Sequence, residues 1–243
     1  MVESPENTKS SFDRALSYPI DGIELDVQIT RDGIPVIFHD KFIHKKSDGT
    51  GKISDYTYDE LCRFDWGAWF SEDYRGEKIL TFDQILTYYG NRTRLFVEIK
   101  SAPSRDKVSL YSELPMLITK QIRQLIPNDL IDNIFILSFD QVLLTSAYEN
   151  DPGLNYVLNI EHPVINSENL IVDMKRICGF CLAIKKVTPY FIAWCHQFGK
   201  KVMTYSCNTP KRMRRAVDMK IDVIMTDAPG AVIDSFMARE KEY

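Results

Sequence analysis

Hydrophobic residues recur along this chain in short runs that are rich in β-branched and aromatic side chains. Runs of about four to eight such residues are typical of β-strands. Seven runs predict strands of one sheet: Gly22 to Ile29, Leu95 to Ile99, Ile134 to Phe139, Asn155 to Asn159, Phe180 to Ile184, Lys201 to Tyr205 and Val223 to Thr226. A further run, Pro35 to Phe38, follows the hairpin-turn sequence Asp32-Gly33 and is predicted to return antiparallel to the first.

Amphipathic stretches with a helical period lie between these runs. They cover Thr8 to Ser17, Thr81 to Tyr89, Leu110 to Leu125, Gln141 to Tyr148, Pro189 to Phe198 and Pro210 to Met219. Two of them begin with a Pro that directly follows a Thr, a pair that is favoured at the cap and first turn of a helix. Strands that alternate with helices predict βα units and an α/β fold on a parallel sheet.

The stretch from Asp40 to Lys78 has no clear period and is rich in Gly, Asp, Ser and aromatic residues. Connections of this length are usually functional or contain small elements of their own. No linker divides the rest of the chain, and 243 residues with 44% hydrophobic content are enough for one full-sized core. We therefore predict a single domain over residues 1–243, with a small insertion at about residues 40–78.

The charge of the chain argues against polyanionic partners. The net charge is −4 and the isoelectric point is near 5.6, and no basic stripe interleaved with aromatics is present. Nucleic acid is therefore not expected as a partner. No apolar run reaches the roughly 18 residues of a membrane span, and the first residues lack the features of a secretory leader. We expect a cytoplasmic protein without an integral membrane segment, and the sequence carries no signal for an oligomeric state.

Five cysteines without a disulfide-like spacing suit a reducing compartment. Cys178 and Cys181 form one isolated CxxC. A single pair is weak evidence for zinc, and both residues lie at the start of an apolar run. We predict two half-buried strand cysteines.

Glu24 and Asp26 are the most informative residues of the first predicted strand. Residues two apart on a strand share a face, so both carboxylates point the same way. Like charges placed together are tolerated when they share a cation or when one pKa is raised, and both situations are common at functional sites. A solvated strand face is the alternative interpretation of this pair.

Other chemically useful residues lie where predicted strands end. Seven parallel strands are one short of a (β/α)8 TIM-type barrel, in which catalytic groups collect at the carboxyl ends of the strands. Glu98 and Lys100 close one strand and again lie two residues apart, while Ser138 and Asp227 end two others. Glu98 and Lys100 form either a structural ion pair or a third metal ligand beside a phosphate-binding cation.

Three carboxylates, from Glu24, Asp26 and Glu98, favour a hard divalent cation such as Mg2+ or Ca2+ over zinc. His39 ends the return arm of the hairpin and is therefore expected close to Glu24 and Asp26. It is the best candidate for a general acid or base. The other histidines, His44, His162 and His196, are predicted to be surface or helix residues.

A series of short motifs occurs in a characteristic order along nearly the whole chain. They are Pro5-Glu-Asn-Thr8, Glu24-Leu-Asp-Val27, Asp32-Gly33, His39-Asp40, Gly49-Thr-Gly51, Val97-Glu-Ile-Lys100, Ser138-Phe139 and Thr226-Asp227. In order and spacing they resemble the glycerophosphodiester phosphodiesterases, a family with a (β/α)8 barrel and a small insertion after the His-Asp motif. Trp66-Gly-Ala-Trp-Phe70 is similar to part of that insertion.

The resemblance implies a role for each matching residue. Glu24, Asp26 and Glu98 correspond to the metal ligands of the family, Lys100 to a phosphate-contacting lysine, and His39 to a catalytic histidine. The implied reaction is metal-dependent cleavage of a small glycerophosphodiester to glycerol 3-phosphate and an alcohol.

The chain also departs from the family pattern. In the family, a first barrel strand ends in a His-Arg-Gly motif shortly before Pro-Glu-Asn-Thr, and it carries a second catalytic histidine and a phosphate-binding arginine. Only four residues precede Pro5 here. Since one general acid or base contributes about 100- to 10,000-fold to a rate, we expect a shortened version of an active protein or a weakly active homologue.

Two other functions remain open at this stage. The first is a non-catalytic barrel that binds a phosphorylated ligand at the metal site. The second is hydrolysis of a lysophospholipid headgroup, since the aromatic residues of the insertion could cover an acyl chain or a choline-like cation.

Overall fold

The computed structural model of the chain describes residues 2–163 and 172–233, and it contains one eight-stranded sheet. The strands are β1 (Gly22–Ile29), β2 (Pro35–Ile37), β3 (Arg94–Ile99), β4 (Ile134–Ser138), β5 (Asn155–Asn159), β6 (Gly179–Ala183), β7 (Lys201–Tyr205) and β8 (Val223–Ile224). Their order in the sheet is β2-β1-β3-β4-β5-β6-β7-β8. Strand β1 pairs with β3, and each strand from β3 to β7 pairs with the next one in the chain. All six of these pairs are parallel, which confirms the seven predicted parallel strands.

Strand β2 is the antiparallel exception, as predicted from the Asp32-Gly33 turn. It pairs with the last three residues of β1, in the register Val27 to Ile37. Gly33 has φ = 81°, a left-handed conformation that glycine adopts without a steric cost. The Thr30 hydroxyl oxygen accepts a hydrogen bond from the Ile34 N–H at 2.9 Å and closes the turn.

Helices follow most strands and cover one face of the sheet. They are α1 (Lys9–Leu16), α2 (Tyr58–Leu61), α3 (Phe82–Tyr89), α4 (Val108–Tyr111), α5 (Leu114–Leu125), α6 (Gln141–Asn150), α7 (Pro189–Gln197) and α8 (Pro210–Asp218). Within residues 2–163 and 172–233, no helix combines the length and the apolar character that crossing a membrane requires.

Several predicted bounds differ from the structure by one or two residues, and one predicted helix is divided. The single helix predicted from Leu110 to Leu125 is two helices, α4 and α5, because Pro115 has no N–H to donate to the carbonyl four residues earlier. Strand β8 ends two residues earlier than predicted, and beyond it the Thr226 hydroxyl bonds Asn208 Oδ1 and the Ala228 N–H.

The sheet is curled like part of a barrel and has an apolar cluster on each face. The outer face of β1, including Leu25 and Val27, packs with the helices in the larger cluster. The inner cluster contains Phe96, Leu137, Val157, Cys181 and Met203, with one residue from each of five successive strands. Polar side chains on the inner face of the sheet therefore lie next to this inner apolar cluster.

Residues 40–78 hold three short 3-10 helices and α2, and they form a small apolar cluster together with Val36, Phe38 and Ile79. Trp66 is buried in this cluster, and its indole N–H donates to the Leu61 carbonyl at 3.0 Å. Trp69 and Phe70 are half-buried and contact each other edge to face. The predicted aromatic stretch thus divides between a small core and the surface.

Candidate active site

Three carboxylates meet on the inner face of the sheet. Glu24 and Asp26 alternate along β1, and Glu98 on β3 lies directly opposite Asp26 in the parallel register. One oxygen of each side chain lies within 4.8 Å of the others. The structure therefore brings together the three acidic residues that the sequence singled out.

Lys100 supplies the countercharge for two of these carboxylates. Its backbone N–H donates to the Val27 carbonyl at 3.1 Å, so that the side chain stays on the same face as Glu98. Its Nζ atom lies 2.7 Å from Glu98 Oε1 and 3.3 Å from Asp26 Oδ1. The side chain is only 19% exposed, so the ion pairs are poorly screened by solvent.

Two asparagines hold the remaining oxygens of the same two carboxylates. Asn7 Nδ2 donates to Asp26 Oδ2 at 3.0 Å, and Asn159 Nδ2 donates to Glu98 Oε2 at 2.9 Å. Neither asparagine was predicted from the sequence to have a role. Asn7 is part of Pro5-Glu-Asn-Thr8, and Asn159 closes β5 in the way that Glu98 and Lys100 close β3, which was the available signal.

Charge crowding shifts the proton affinities of the cluster. Burial, together with the neighbouring charges of Asp26 and Glu98, raises the pKa of Glu24 well above its ordinary value. Burial and the Asp26 charge likewise raise the pKa of Glu98. Burial by itself would lower the pKa of Lys100, but Asp26 and Glu98 outweigh it, and the pKa is raised. Lys100 therefore stays charged while the carboxylates compete for a second cation or a proton.

His39 follows β2, and its ring is 53% exposed. The ring Nδ1 lies 3.0 Å from Asp40 Oδ1, an arrangement that orients the imidazole and leaves Nε2 on the far side. Among the electrostatic effects on Glu98, that of His39 lowers the pKa and is outweighed by burial and Asp26, in line with the expected closeness of the histidine to the cluster.

A buried glutamine holds the chain around His39 in place. Gln28 Nε2 lies 3.0, 3.3 and 2.8 Å from the carbonyl oxygens of Phe38, His39 and Asp40. Its Oε1 accepts from the Tyr111 hydroxyl at 2.9 Å. Sequence reasoning missed Gln28, although it continues the every-second-residue pattern of Glu24 and Asp26 on β1.

The donor set fits a hard divalent cation. Three carboxylates within 4.8 Å offer oxygen ligands only, the type that Mg2+ and Ca2+ prefer. The buried Oδ1 of Asn159 has no hydrogen-bond partner among the described residues, so one more oxygen is present beside Glu98.

Cys181 faces the same interior but is a fully buried thiol, and Cys178 is half-buried. Two half-buried strand cysteines were predicted: Cys178 is half-buried but lies just before β6, whereas Cys181 lies in β6 but is fully buried in the inner apolar cluster.

The remaining candidates lie apart from the carboxylates or have structural bonds. Ser138 is buried, and its hydroxyl donates to the Ile99 carbonyl at 2.8 Å. Asp227 contributes to the raised pKa of Glu24, and its N–H donates to Asn208 Oδ1 at 2.9 Å. Of the other histidines, His44 contacts Phe42, His162 contacts Lys186, and His196 contacts Asp222.

The sequence of this chain is similar to those of glycerophosphodiester phosphodiesterases. The model of the glycerophosphoryl diester phosphodiesterase family matches residues 2–231. A glycerophosphodiester phosphodiesterase of Caldanaerobacter subterraneus subsp. tengcongensis is 28% identical over 231 residues, which are 95% of this chain and 91% of that protein. A Bacillus subtilis protein of the same name is 25% identical over 93% of this chain and 80% of its own length.

The same fold is found in solved structures. An Oleispira antarctica phosphodiesterase, in complex with the product sn-glycerol-3-phosphate, superposes with a TM-score of 0.84. The alignment covers 97% of this chain and 92% of that chain at 24% identity. A glycerophosphodiester phosphodiesterase from Agrobacterium tumefaciens gives a TM-score of 0.78, with 21% identity over 95% and 94% of the two chains.

Proposed function

The chain belongs to the glycerophosphoryl diester phosphodiesterase family of phosphoric diester hydrolases, and we propose that it cleaves glycerophosphodiesters to glycerol 3-phosphate and an alcohol with the help of a divalent cation. The observation that carries this proposal is the cluster of Glu24, Asp26 and Glu98 oxygens within 4.8 Å, with Lys100 bonded to two of the three side chains. The complex of the Oleispira antarctica relative with sn-glycerol-3-phosphate supports the choice of product.

Each side chain has a distinct task in the proposed reaction. Glu24, Asp26 and Glu98 would hold Mg2+ or Ca2+, which when bound polarises phosphoryl oxygens. Lys100 offsets the negative charge that builds up on the phosphoryl group in the transition state. His39 donates a proton to the departing alkoxide, with its ring oriented by Asp40.

A single candidate histidine for proton transfer among the described residues supports the proposal that this chain hydrolyses its substrate slowly. His39 is the one histidine near the carboxylates in residues 2–163 and 172–233, whereas an acid and base pair usually needs two groups. We propose that a form with a further strand ending in His-Arg-Gly turns over faster. The strand pairing supports this proposal, since β2 pairs only with Val27–Ile29 of β1 and β8 pairs only with β7 among the described strands.

The test is release of glycerol 3-phosphate from glycerophosphocholine, with Mg2+ or Ca2+ and then with a chelator. Glu24→Gln keeps the side-chain shape and removes one charge, so chelator-sensitive release should fall at least about 100-fold. The matched control is Glu149→Gln, which changes an exposed glutamate that bonds only Arg176 in the described residues. This control should retain the full rate.

Three outcomes separate the possible functions. Chelator-sensitive release that is lost in Glu24→Gln supports the proposal. Release that survives both the chelator and Glu24→Gln excludes the carboxylate cluster as a metal site. Binding of Mn2+ and glycerol 3-phosphate without any release, also in a form that carries His-Arg-Gly, would favour a phosphorylated-ligand-binding barrel.

A further inference from the structure

Asn159 joins the acidic cluster to an acceptor oxygen that nothing else in the described structure uses. We propose that Asn159 is a positioning residue of the active site: its Nδ2 fixes Glu98, and its Oδ1 accepts a hydrogen bond from an O–H group bound at the carboxylates. This inference rests on the proposed function and adds a residue to it that lies outside the predicted set.

The orientation of the Asn159 amide follows from its partner. A carboxylate offers only acceptors, so the nitrogen must face Glu98 Oε2, which lies 2.9 Å away. The opposite orientation would place two oxygens against each other. Because Oδ1 and Nδ2 share one carbon atom, Oδ1 lies beside the same carboxylate and is excluded from any bond to it.

The Oδ1 atom is buried and lacks a partner. Asn159 is 3% exposed, and its Oδ1 is one of four buried side-chain atoms without a hydrogen bond among the described residues. The other three belong to Ser54, Gln121 and Thr145, which lie in a 3-10 helix, α5 and α6, away from the inner face of the sheet. A buried acceptor without a donor is unfavourable, and at the end of a barrel strand a ligand is the natural source of that donor.

The surroundings determine what kind of ligand group can reach Oδ1. Glu24, Asp26 and Glu98 offer acceptor oxygens to a cation, and Lys100 is already bonded to two of them. The donor that we assign to Oδ1 is a hydroxyl group held at the carboxylates. Two sources supply it, a water molecule on the divalent cation or a hydroxyl of the glycerol moiety, and the two parts of the experiment distinguish them.

The first part measures Mn2+ binding by electron paramagnetic resonance, a readout that does not depend on turnover. Asn159→Leu keeps the size of the side chain and removes both polar atoms, and we expect Mn2+ affinity to fall about tenfold, as is typical when a partner of a metal ligand is lost. The matched control is Asn155→Leu on the same strand. Asn155 donates to the Asp132 and Ile134 carbonyls at the opposite end of β5, so its loss should leave Mn2+ affinity unchanged.

Asn159→Gln distinguishes positioning from space filling. Glutamine keeps both the N–H donor for Glu98 and the acceptor oxygen, so this variant should retain more of the Mn2+ affinity than Asn159→Leu. If Asn159 only filled space, leucine would be tolerated because it matches asparagine in size, and the longer glutamine would be the damaging change. The reverse order of the two variants would therefore overturn the inference.

The second part compares binding of glycerol 3-phosphate with that of propyl phosphate, which lacks both hydroxyls. The wild-type protein should prefer glycerol 3-phosphate by about tenfold or more, since a buried acceptor discriminates against a ligand without a donor. Loss of this preference in Asn159→Leu, with Asn155→Leu normal, assigns Oδ1 to the glycerol hydroxyl. A preference for glycerol 3-phosphate that persists in Asn159→Leu excludes the glycerol hydroxyl and leaves a water on the cation as the donor to Oδ1.

Failure of this inference is distinguishable from failure of the proposed function. If the wild-type protein binds Mn2+ and glycerol 3-phosphate and Asn159→Leu matches it in both measurements, only the role of Asn159 is wrong. If the wild-type protein binds neither Mn2+ nor glycerol 3-phosphate, the proposed function is wrong and this inference falls with it.

Discussion

Asn7 has a left-handed backbone conformation, with φ = 57°, and from it Nδ2 donates to Asp26 Oδ2 at 3.0 Å. Its Oδ1 also faces the Asp26 N–H at 3.5 Å. Because β2 pairs with β1 only from Val27 onward, the Asp26 N–H has no strand partner on that side in the described residues. One amide thus serves both the edge of β1 and a carboxylate of the cluster.

Replacement of Asn7 should separate the amide bond from the backbone conformation. Asn7→Gly loses the bond but tolerates φ > 0, whereas Asn7→Ala loses the bond and adds strain of about 1 kcal/mol. We therefore expect Asn7→Ala to be less stable than Asn7→Gly by about 1 kcal/mol in urea unfolding. Both variants should bind Mn2+ more weakly than wild type, and equal stability of the two would contradict the left-handed conformation.

Removal of one carboxylate should stabilise the metal-free protein. Burial and the charges of Asp26 and Glu98 raise the pKa of Glu24, which means that its charged form is unfavourable in the folded state. Glu24→Gln should raise the free energy of unfolding at pH 7 in a chelator by about 1 kcal/mol. With excess Mg2+ or Ca2+ the order should reverse, because only the wild-type protein gains the full binding energy.

The control for this comparison is Glu149→Gln, whose stability should stay within about 0.5 kcal/mol of wild type in either condition. A Glu24→Gln variant that is destabilised in the chelator would show that the three carboxylates do not repel one another as the geometry implies.

Tyr111 and Gln28 should behave as one unit. Tyr111→Phe leaves Gln28 Oε1 buried without a donor and should cost about 1 kcal/mol. Gln28→Leu also removes the amide that holds the chain at residues 38–40, so we expect a loss of about 2 kcal/mol and a lower rate through His39. The double variant should be little worse than Gln28→Leu alone, since both changes break one network. Additive losses in urea unfolding would argue against a shared network.

The Arg123 and Asp151 pair predicts a pH dependence of stability. The Arg123 guanidinium on α5 binds the Asp151 carboxylate after α6 with two nitrogens, one of them at 2.8 Å, and this contact holds the pKa of Asp151 below its ordinary value. A lowered folded-state pKa contributes stability above the ordinary value of about 3.9 and loses it as the pH falls through the folded-state pKa.

Asp151→Asn should therefore cost about 1 kcal/mol at pH 7, because part of the pair is exposed to solvent. The difference from wild type should shrink as the pH falls from 4 toward 2, which urea unfolding at each pH would measure. A difference that stays constant down to pH 2 would mean that the ion pair does not contribute.

Local rules predicted the strands and the acidic cluster well, because both depend on short periods in the sequence. Glu24 and Asp26 share a face through alternation on one strand, and Glu98 joins them because parallel strands place their carboxyl ends together. Asn159 depends on a contact 61 residues away in the chain, which no local period encodes. The break before α5 was readable from Pro115, but the apolar period on both sides of it favoured one helix.

Gly67 offers the sharpest test of the packing within residues 40–78. A Cβ atom at Gly67 would meet the backbone oxygen of Tyr74 at 2.0 Å, so Gly67→Ala must push two backbone segments apart. Gly76→Ala is the matched control, because nothing lies within 4 Å of its Cβ position and its φ of 92° adds only local strain. Hydrogen exchange should show Gly67→Ala opening the region around Trp66, with β3 to β7 still protected. If Gly67→Ala is no more disruptive than Gly76→Ala, Tyr74 does not pack against Gly67, and the surface formed by Trp69 and Phe70 has another arrangement.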